Sequence, residues 1–187
     1  MTRTDDAALT PAARRILDTA SALFYAHGIT AVGVDMIATE SGITKRTLYD
    51  RFGSKDALVV AYLRDRDVRW WGRWEERLAQ ATAPRALTVF DSYADDVRPS
   101  GRGCAFINAA AELAESHPGR VVIREHKLRV RTKLEELIRE DGGVDDPVAV
   151  AEHVFLLLEG AIAHQGIDGN TTRLRGARRI AEALLEA

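Results

Sequence analysis

The sequence predicts an all-α protein of about nine helices, arranged as a three-helix N-terminal head and a larger helical body. Three observations support this fold class. Apolar residues recur every three or four positions along most of the chain, which is the spacing of amphipathic helices. Runs of valine and threonine that alternate with polar residues, as strands would require, are absent. The few prolines and glycines fall mainly between the periodic segments, where helices begin and end.

Composition is typical of a globular protein that stays inside the cell. Of 187 residues, 46% are apolar and 29% charged, and the net charge of −2 shows that the molecule as a whole is not a polycation. Cys104 is the single cysteine, which excludes an intrachain disulfide and fits a reducing compartment. No stretch reaches the roughly 18 apolar residues of a membrane span. The N-terminus is acidic where a signal peptide would be apolar. We therefore expect a cytoplasmic protein without a membrane partner.

The first helix is predicted to begin at Thr10 and Pro11, which are residue types favoured at the N-cap and at the first helical position. Its apolar stripe consists of Ile16, Leu17, Ala20, Leu23 and Phe24. Gly28 ends the helix. We expect this helix to brace the pair of helices that follows it.

Residues 34–52 predict a helix, a tight turn and a second helix. One face of each helix is apolar, with Val34, Ile37 and Ala38 on the first and Leu48 and Phe52 on the second. Gly42 supplies the positive φ angle that a sharp turn needs. The hydroxyl of Thr44 is placed to cap the first free N–H groups of the second helix.

Positive charge gathers on this second helix. Between residues 43 and 55 the chain has Lys45, Arg46, Arg51 and Lys55 against Asp50 alone, a net charge of +3. A solvated helix face is the ordinary explanation of such a cluster. Here the cluster follows a helix and a tight turn, so that Lys45, Arg46, Thr47 and Tyr49 project from a helix N-terminus. That arrangement favours nucleic-acid phosphate as the partner.

The body is predicted to begin with a long helix capped by Ser54. Its inward side carries Val59, Leu63, Trp70, Trp74 and Leu78, with Trp71 at the border. Three tryptophans within five residues have two explanations. They are either core packing between the head and the body, or one wall of a ligand cavity.

Five further helices are predicted after this one. The first follows Pro84, the second runs from Cys104 to Leu113 and the third follows Pro118. The fourth follows Asp146-Pro147, and the fifth runs from Leu174 to Ala187. The fourth of them is apolar on almost every side between Val154 and Ala163, so we expect it to be buried on all faces. Gly160 and Ala161 would let a second copy of the chain pack closely against it.

A ligand cavity, if the tryptophans form one, would be completed by residues from these later helices. The predicted set is Trp70, Trp74, Phe90, Tyr93, Cys104 and Phe106, with Asn108, Lys127 and Glu159 as the polar groups that orient a ligand. Core packing remains the alternative for Cys104, and a redox or electrophile sensor is a further one. Lys127, among apolar neighbours, could equally snorkel to solvent or pair with an acid.

Motifs for catalysis or metal binding are lacking. The sequence has no phosphate loop, no Gly-x-Ser-x-Gly elbow and no pair of histidines four residues apart, and its five histidines are scattered. Glycines 101 and 103 are followed by Phe at position 106, which does not fit a dinucleotide-binding loop. We therefore predict no catalytic residues, no metal site and no cofactor.

The strings ILDTASALFYAHG, MIATESGITKRTLYDRF and GSKDAL, between Arg15 and Leu63, resemble the DNA-binding domain of the TetR family of bacterial repressors. GRGC-AFINAAAEL likewise resembles a segment found in many members. The resemblance implies a DNA-binding domain at 1–53 and an effector-binding and dimerisation domain at 54–187. It also implies that the last two helices form a four-helix dimer interface.

The same resemblance assigns roles to the charged helix. Base edges or phosphates would be approached by Lys45 and Arg46, while the remaining expected contacts are Thr44, Thr47, Tyr49 and Lys55. The family commonly has Ser or Thr at the entry to its second helix to hold a phosphate, whereas this chain has Val32 and Gly33. Backbone N–H groups at that helix start are the expected substitute.

The function expected from these features is a homodimeric repressor that binds a palindromic operator in double-stranded DNA and is released by a small, largely apolar effector. Two other classes stay open. One is a small helical enzyme or carrier, which would show turnover or ligand binding without operator specificity. The other is a DNA-binding regulator without an effector, controlled by a protein partner.

Overall fold

The computed structural model describes residues 9–97 and 102–186, which contain nine α-helices, one 3-10 turn and no strand. The helices are α1 (Pro11–His27), α2 (Val34–Ser41), α3 (Lys45–Phe52), α4 (Lys55–Leu78), α5 (Thr88–Val97), α6 (Ala105–Glu112), α7 (Gly119–Asp141), α8 (Pro147–Asp168) and α9 (Thr172–Leu185). The predicted all-α class is confirmed. The 3-10 turn, Arg85–Leu87, precedes α5 and is held by Asp141, which accepts hydrogen bonds from the backbone N and Nε of Arg85 at 2.7 and 2.6 Å.

The head consists of α1, α2 and α3, packed around one small core. The N-cap Thr10 accepts a hydrogen bond from Ala13 N at 3.3 Å, and Pro11 follows as the first helical residue, as predicted. Buried side chains from all three helices meet in this core: Ile16, Leu17, Ala20, Phe24, Ile37 and Leu48. The first helix therefore braces the two that follow it.

Helix α4 joins the head to the body. The hydroxyl of Ser54 accepts a hydrogen bond from Ala57 N at 3.0 Å and so fixes where α4 begins. Near its start, Tyr62 packs edge-on against Phe24 of α1, with ring centroids 5.6 Å apart. Farther along, Trp70 contacts Tyr93 of α5 at a centroid distance of 4.8 Å. Helix α4 thus contributes side chains to a single apolar core that is continuous from the head into the body.

In the body, α8 packs between α7 and α9. By length and composition alone α8 could cross a membrane. It carries Glu159, however, which accepts a hydrogen bond from Lys127 of α7 at 2.6 Å. Val154, Leu158 and Ile162 of α8 are fully buried in the protein core. These contacts place one side of α8 in the protein core.

The expected burial of α8 on every side is met only in part within one copy of the chain. Leu156 of α8 is 58% exposed, and Ile180 of α9 is 54% exposed. Gly160 is also exposed, and a side chain built there would meet no atom within 4 Å. Together these residues form an apolar face along α8 and α9 that a single copy leaves uncovered.

Candidate nucleic-acid interface

The turn between α2 and α3 is built from local backbone chemistry. Gly42 has φ +65° and ψ 23°, a left-handed conformation in which a residue with a Cβ atom would be strained. Its N–H donates to the carbonyl of Thr39, and the next N–H, of Ile43, donates to Ala38 O, each at 3.2 Å. The buried hydroxyl of Ser41 accepts a further hydrogen bond from Ile43 N at 3.3 Å. The angle between the two helices is fixed by these bonds.

Helix α3 starts at a defined residue because Thr44 caps it. The Thr44 hydroxyl accepts a hydrogen bond from Thr47 N at 3.2 Å, as the sequence predicted, and its Oγ1 lies 3.0 Å from that of Thr47. Leu48, which is fully buried, anchors the opposite side of the helix in the head core. The outer side of α3 is consequently presented to solvent in a fixed orientation.

The six predicted contact residues lie together at this surface. The Arg46 side chain is 92% exposed, with its Nε 4.0 Å from the Asp50 carboxylate. Tyr49 is 45% exposed, and Lys55 stands half-buried in the first turn of α4. Cationic, hydroxyl and phenol groups on α3, at its N-cap and in the first turn of α4 are therefore at least partly exposed to solvent.

Lys45 has a partner that the sequence reasoning missed. Its ammonium group forms an ion pair with Asp35 in the first turn of α2. The hydrogen bond to Asp35 raises the pKa of Lys45 above its usual value. Both groups are solvent-exposed, so the pair is weak and can exchange for a phosphate. Because Asp35 and Lys45 are ten residues apart and lie on different helices, the sequence contains no signal of this ion pair.

The start of α2 is open, as expected from its residues. Gly33 is the N-cap and provides no side-chain hydrogen bond, while Val32 is fully buried in the core. The first N–H groups of α2 consequently lack a side-chain partner. Such N–H groups, at the positive end of the helix dipole, can donate hydrogen bonds directly to a bound anion.

Seven of the nine predicted ligand-binding residues are linked by direct contacts or through His126, and their side chains pack against one another: Trp70, Trp74, Tyr93, Cys104, Phe106, Lys127 and Glu159. Six of the nine are at most 3% exposed: Trp70, Trp74, Phe90, Tyr93, Cys104 and Phe106. Lys127 Nζ lies 2.6 Å from Glu159, 3.4 Å from Tyr93 Oη and 3.7 Å from Cys104 Sγ. Asn108 donates to the carbonyl of Arg102 at 2.8 Å. A groove of about 480 Å³ lies outside this cluster, between α4 and α7, where Trp71 and Leu128 form part of its lining.

His126 belongs to the same cluster, although it is not among the predicted ligand-binding residues. Its Nδ1 lies 2.6 Å from Asp67 and its Nε2 lies 3.1 Å from Tyr93 Oη, while the Phe106 ring stacks on it at 3.8 Å. Since the Asp67 carboxylate accepts a hydrogen bond, Nδ1 carries the proton and Nε2 accepts from Tyr93. In the sequence, His126 lies three residues after Ile123 and four before Val130. This spacing places it on the apolar stripe of α7 and indicates that it is buried.

The buried imidazole predicts a specific pH dependence. Burial lowers the pKa of His126, although the hydrogen bond to Asp67 opposes this. In the unfolded chain a histidine takes up its proton near pH 6.5. Below about pH 6.5 the unfolded state therefore binds more protons, and stability falls with pH until His126 titrates in the folded state.

Replacing His126 with Gln should remove this loss of stability. We expect the urea midpoint of the wild-type protein to fall more steeply between about pH 7 and pH 5 than that of the variant, whatever their stabilities at neutral pH. His27→Gln, at an exposed position in the last turn of α1, is the matched control and should follow the wild type. Equal slopes for His126→Gln and the wild type would contradict the assignment.

The head and its exposed, capped α3 define a helix-turn-helix DNA-binding protein with a helical body. Residues 16–62 match the family model described as bacterial regulatory proteins, tetR family. The fold superimposes on the crystal structure of SCO4454, a TetR-family transcriptional regulator from Streptomyces coelicolor, with a TM-score of 0.85 and 32% identity. That match covers 93% of this chain and 94% of the other. The chain therefore belongs to the TetR family of transcriptional regulators.

Other relatives match over shorter segments or with lower identity. The HTH-type transcriptional repressor KstR2 of Mycolicibacterium smegmatis is 38% identical over 76 residues, which are 40% of this chain and 37% of KstR2. Matched segments span 27 to 46% of the length of the curated relatives. The regulatory protein TetR from Rhodobacter sphaeroides shares the fold, with a TM-score of 0.81 and 20% identity over 94% of this chain and 99% of that one.

Proposed function

We propose that this chain is a cytoplasmic transcriptional repressor that binds a palindromic operator as a homodimer and releases it on binding a small, largely apolar effector. The observation that carries the proposal is the outer face of α3. Its start is fixed by the Thr44 cap, and its exposed donors stand on a head that is rigidly packed. An N-terminal helix end of this kind is what enters a major groove in helix-turn-helix proteins.

The proposed contacts divide into those that position the protein and those that read sequence. The hydroxyls of Thr44 and Thr47, the phenol of Tyr49 and the amines of Lys45 and Lys55 are suited to phosphate oxygens. Arg46, whose side chain is 92% exposed, is suited to a guanine edge. The uncapped N–H groups at the start of α2 add a backbone phosphate contact.

A homodimer is supported by the uncovered apolar face of α8 and α9. Two shallow grooves of about 380 and 430 Å³ run along it, and their lining includes Leu156, Leu157 and Ile180. A second copy related by twofold symmetry would cover the face with an identical one and form a four-helix interface. Two heads would then meet successive major grooves on one side of a palindromic site.

The effector is proposed to bind within the body, among the nine predicted residues, which include Lys127 and Tyr93. Because these side chains pack against one another, a ligand can enter only if they separate, and Trp70 lies on the same helix as Lys55. A shift of α4 would change the spacing of the two heads. If the effector lowers operator affinity hundredfold, operator DNA must weaken effector binding by the same factor, or about 2.7 kcal/mol.

The close packing of these residues also favours a second candidate, a regulator without a small-molecule effector that responds to a protein partner. The two candidates differ in what releases the purified protein from DNA. A small molecule suffices for the first, whereas the second requires the partner.

Selection of bound fragments from fragmented genomic DNA tests the proposal most directly. We expect the wild-type protein to enrich fragments that share an inverted repeat, with half-sites about one helical turn apart. Enrichment without a shared sequence, or no enrichment, would contradict a sequence-specific operator. The enriched fragments supply the duplex with which the affinity of each variant is measured.

Lys55→Ala tests the backbone contacts. Each phosphate neutralised contributes about 0.9 to the slope of log K against log salt, so loss of one contact in each of two subunits should flatten the slope by about 2. Affinity should fall evenly for operator and unrelated DNA. Lys133→Ala on α7 removes the same charge far from the head and should leave the slope unchanged. An unchanged slope in Lys55→Ala would remove Lys55 from the contacts.

A further inference from the structure

The head is held by the body at more places than α4. A stretch of the body, residues 102–119, runs along the head and contains α6; we call it the junction segment. Near its start, Arg102 Nη1 donates to the carbonyl of Tyr25 at 3.1 Å, and the Tyr25 hydroxyl donates to Gly103 O at 2.9 Å. Near its end the segment contacts α4 instead of the head: His117 Nε2 lies 3.4 Å from the carboxylate of Asp56 in the first turn of that helix.

Between these contacts, Glu112 at the end of α6 holds the loop that joins α1 to α2. Its Oε2 accepts a hydrogen bond from Thr30 N at 2.8 Å. The carboxylate lies against Gly28, which ends α1 with φ +93°. A Cβ atom at Gly28 would stand 3.0 Å from both carboxylate oxygens of Glu112, a tight contact that would push the carboxylate away by a few tenths of an ångström. Because Gly28 has no side chain, the carboxylate of Glu112 can pack closely against its backbone.

This contact fixes the backbone immediately before the DNA-binding helices. The loop runs from Gly28 to Gly33, the N-cap of α2, and Thr30 lies three residues before that cap. The other end of α6 is anchored in the body, because the ring of Phe106 stacks on His126 with centroids 3.8 Å apart. Helix α6 is therefore held at one end by the body core and holds the head at the other.

We propose that Glu112 is a positioning residue for DNA binding: its carboxylate fixes the α1–α2 loop and with it the entry of α2 relative to the body. The proposal rests on the proposed DNA-binding function. Glu112 does not itself contact DNA in this proposal. Without its hydrogen bond the loop must be ordered when DNA binds, and that ordering lowers the affinity.

Two substitutions distinguish a positioning role of the Glu112 side chain from an effect of its negative charge. Glu112→Gln retains an acceptor oxygen for Thr30 N but loses the negative charge, whereas Glu112→Ala loses both. If Glu112 acted only by repelling DNA, both variants would bind DNA more tightly. For a positioning residue, Glu112→Ala should bind more weakly and Glu112→Gln should stay near the wild type. Glu115→Ala, exposed three residues later, is the control for loss of one negative charge.

The experiment measures amide hydrogen exchange at Thr30 in the free protein and affinity for the duplex selected by the wild type. Relative to Glu115→Ala, we expect faster exchange at Thr30 and about thirtyfold weaker binding in Glu112→Ala, since each of the two subunits loses a hydrogen bond that contributes about 1 kcal/mol. Glu112→Gln should restore most of both.

Wild-type exchange at Thr30 in Glu112→Ala would show that the hydrogen bond does not hold the loop. Faster exchange with affinity equal to that of Glu115→Ala would show that the loop does not set DNA binding. Either result overturns the proposal. If the wild type selects no duplex, the proposed function fails and this role of Glu112 with it, while the exchange measurement still decides whether Glu112 holds the loop.

Discussion

Leu156→Arg should convert the protein to a monomer and reduce its affinity for the selected duplex at least about a hundredfold. Leu156 is 58% exposed on the apolar face of α8, so the substitution leaves the core of one copy intact. In a twofold interface the arginine is introduced twice and faces apolar side chains. An unpaired buried charge costs several kcal/mol, and each 1.4 kcal/mol is about a factor of ten in the dimerisation constant.

Sedimentation analysis and duplex titration measure the two parts of this result. Leu128→Arg is the matched control, because Leu128 is 63% exposed on α7 in the groove toward α4. It should remain dimeric and bind the duplex like the wild type. A Leu156→Arg protein that sediments as a dimer would place the interface elsewhere. If Leu128→Arg also dissociates the dimer, the effect is not specific to the face of α8 and α9.

Local sequence signals, each confined to a few neighbouring residues, correctly predicted where several helices begin. Thr10, Thr44, Ser54 and Asp146 were each expected at a helix start, and in the structure each side chain accepts a hydrogen bond from the N–H three residues on. Capping depends on the cap and the first turn alone, so the local sequence contains the information needed. The same holds for Gly42, whose left-handed φ is set by the turn itself.

Contacts between distant segments were not predictable in this way. Glu112 and Thr30 are 82 residues apart in the chain, and His126 and Asp67 are 59 apart. Which carboxylate meets which donor depends on how the helices pack, and one sequence contains no signal of that. Whether the tryptophans line a cavity likewise depends on how closely the side chains pack: seven of the nine predicted residues are linked in the structure, and their side chains pack against one another.

Lys127→Met should lower the free energy of unfolding by about 2–4 kcal/mol, toward the lower end of what breaking a buried ion pair costs. The side chains of Lys127 and Glu159 are 16% and 22% exposed, and their Nζ and Oε1 lie 2.6 Å apart. Burial lowers the pKa of Lys127, but Cys104, Tyr93 and Glu159 outweigh it and raise this pKa above the usual value. The lysine is therefore charged, and removing it leaves a carboxylate in an apolar surrounding.

A second substitution distinguishes the lost pair from lost packing. Methionine is close to lysine in length, so Lys127→Met keeps most of the apolar contacts of the stem. In Lys127→Met/Glu159→Met no charge is left buried, and we expect most of the lost stability to return, as it does when both members of a buried pair become apolar. Urea unfolding of the two variants and the wild type measures this. If the double variant is no more stable than Lys127→Met, the unpaired Glu159 carboxylate is not the cause, and the hydrogen bonds of Lys127 to Tyr93 and Cys104 carry the stability instead.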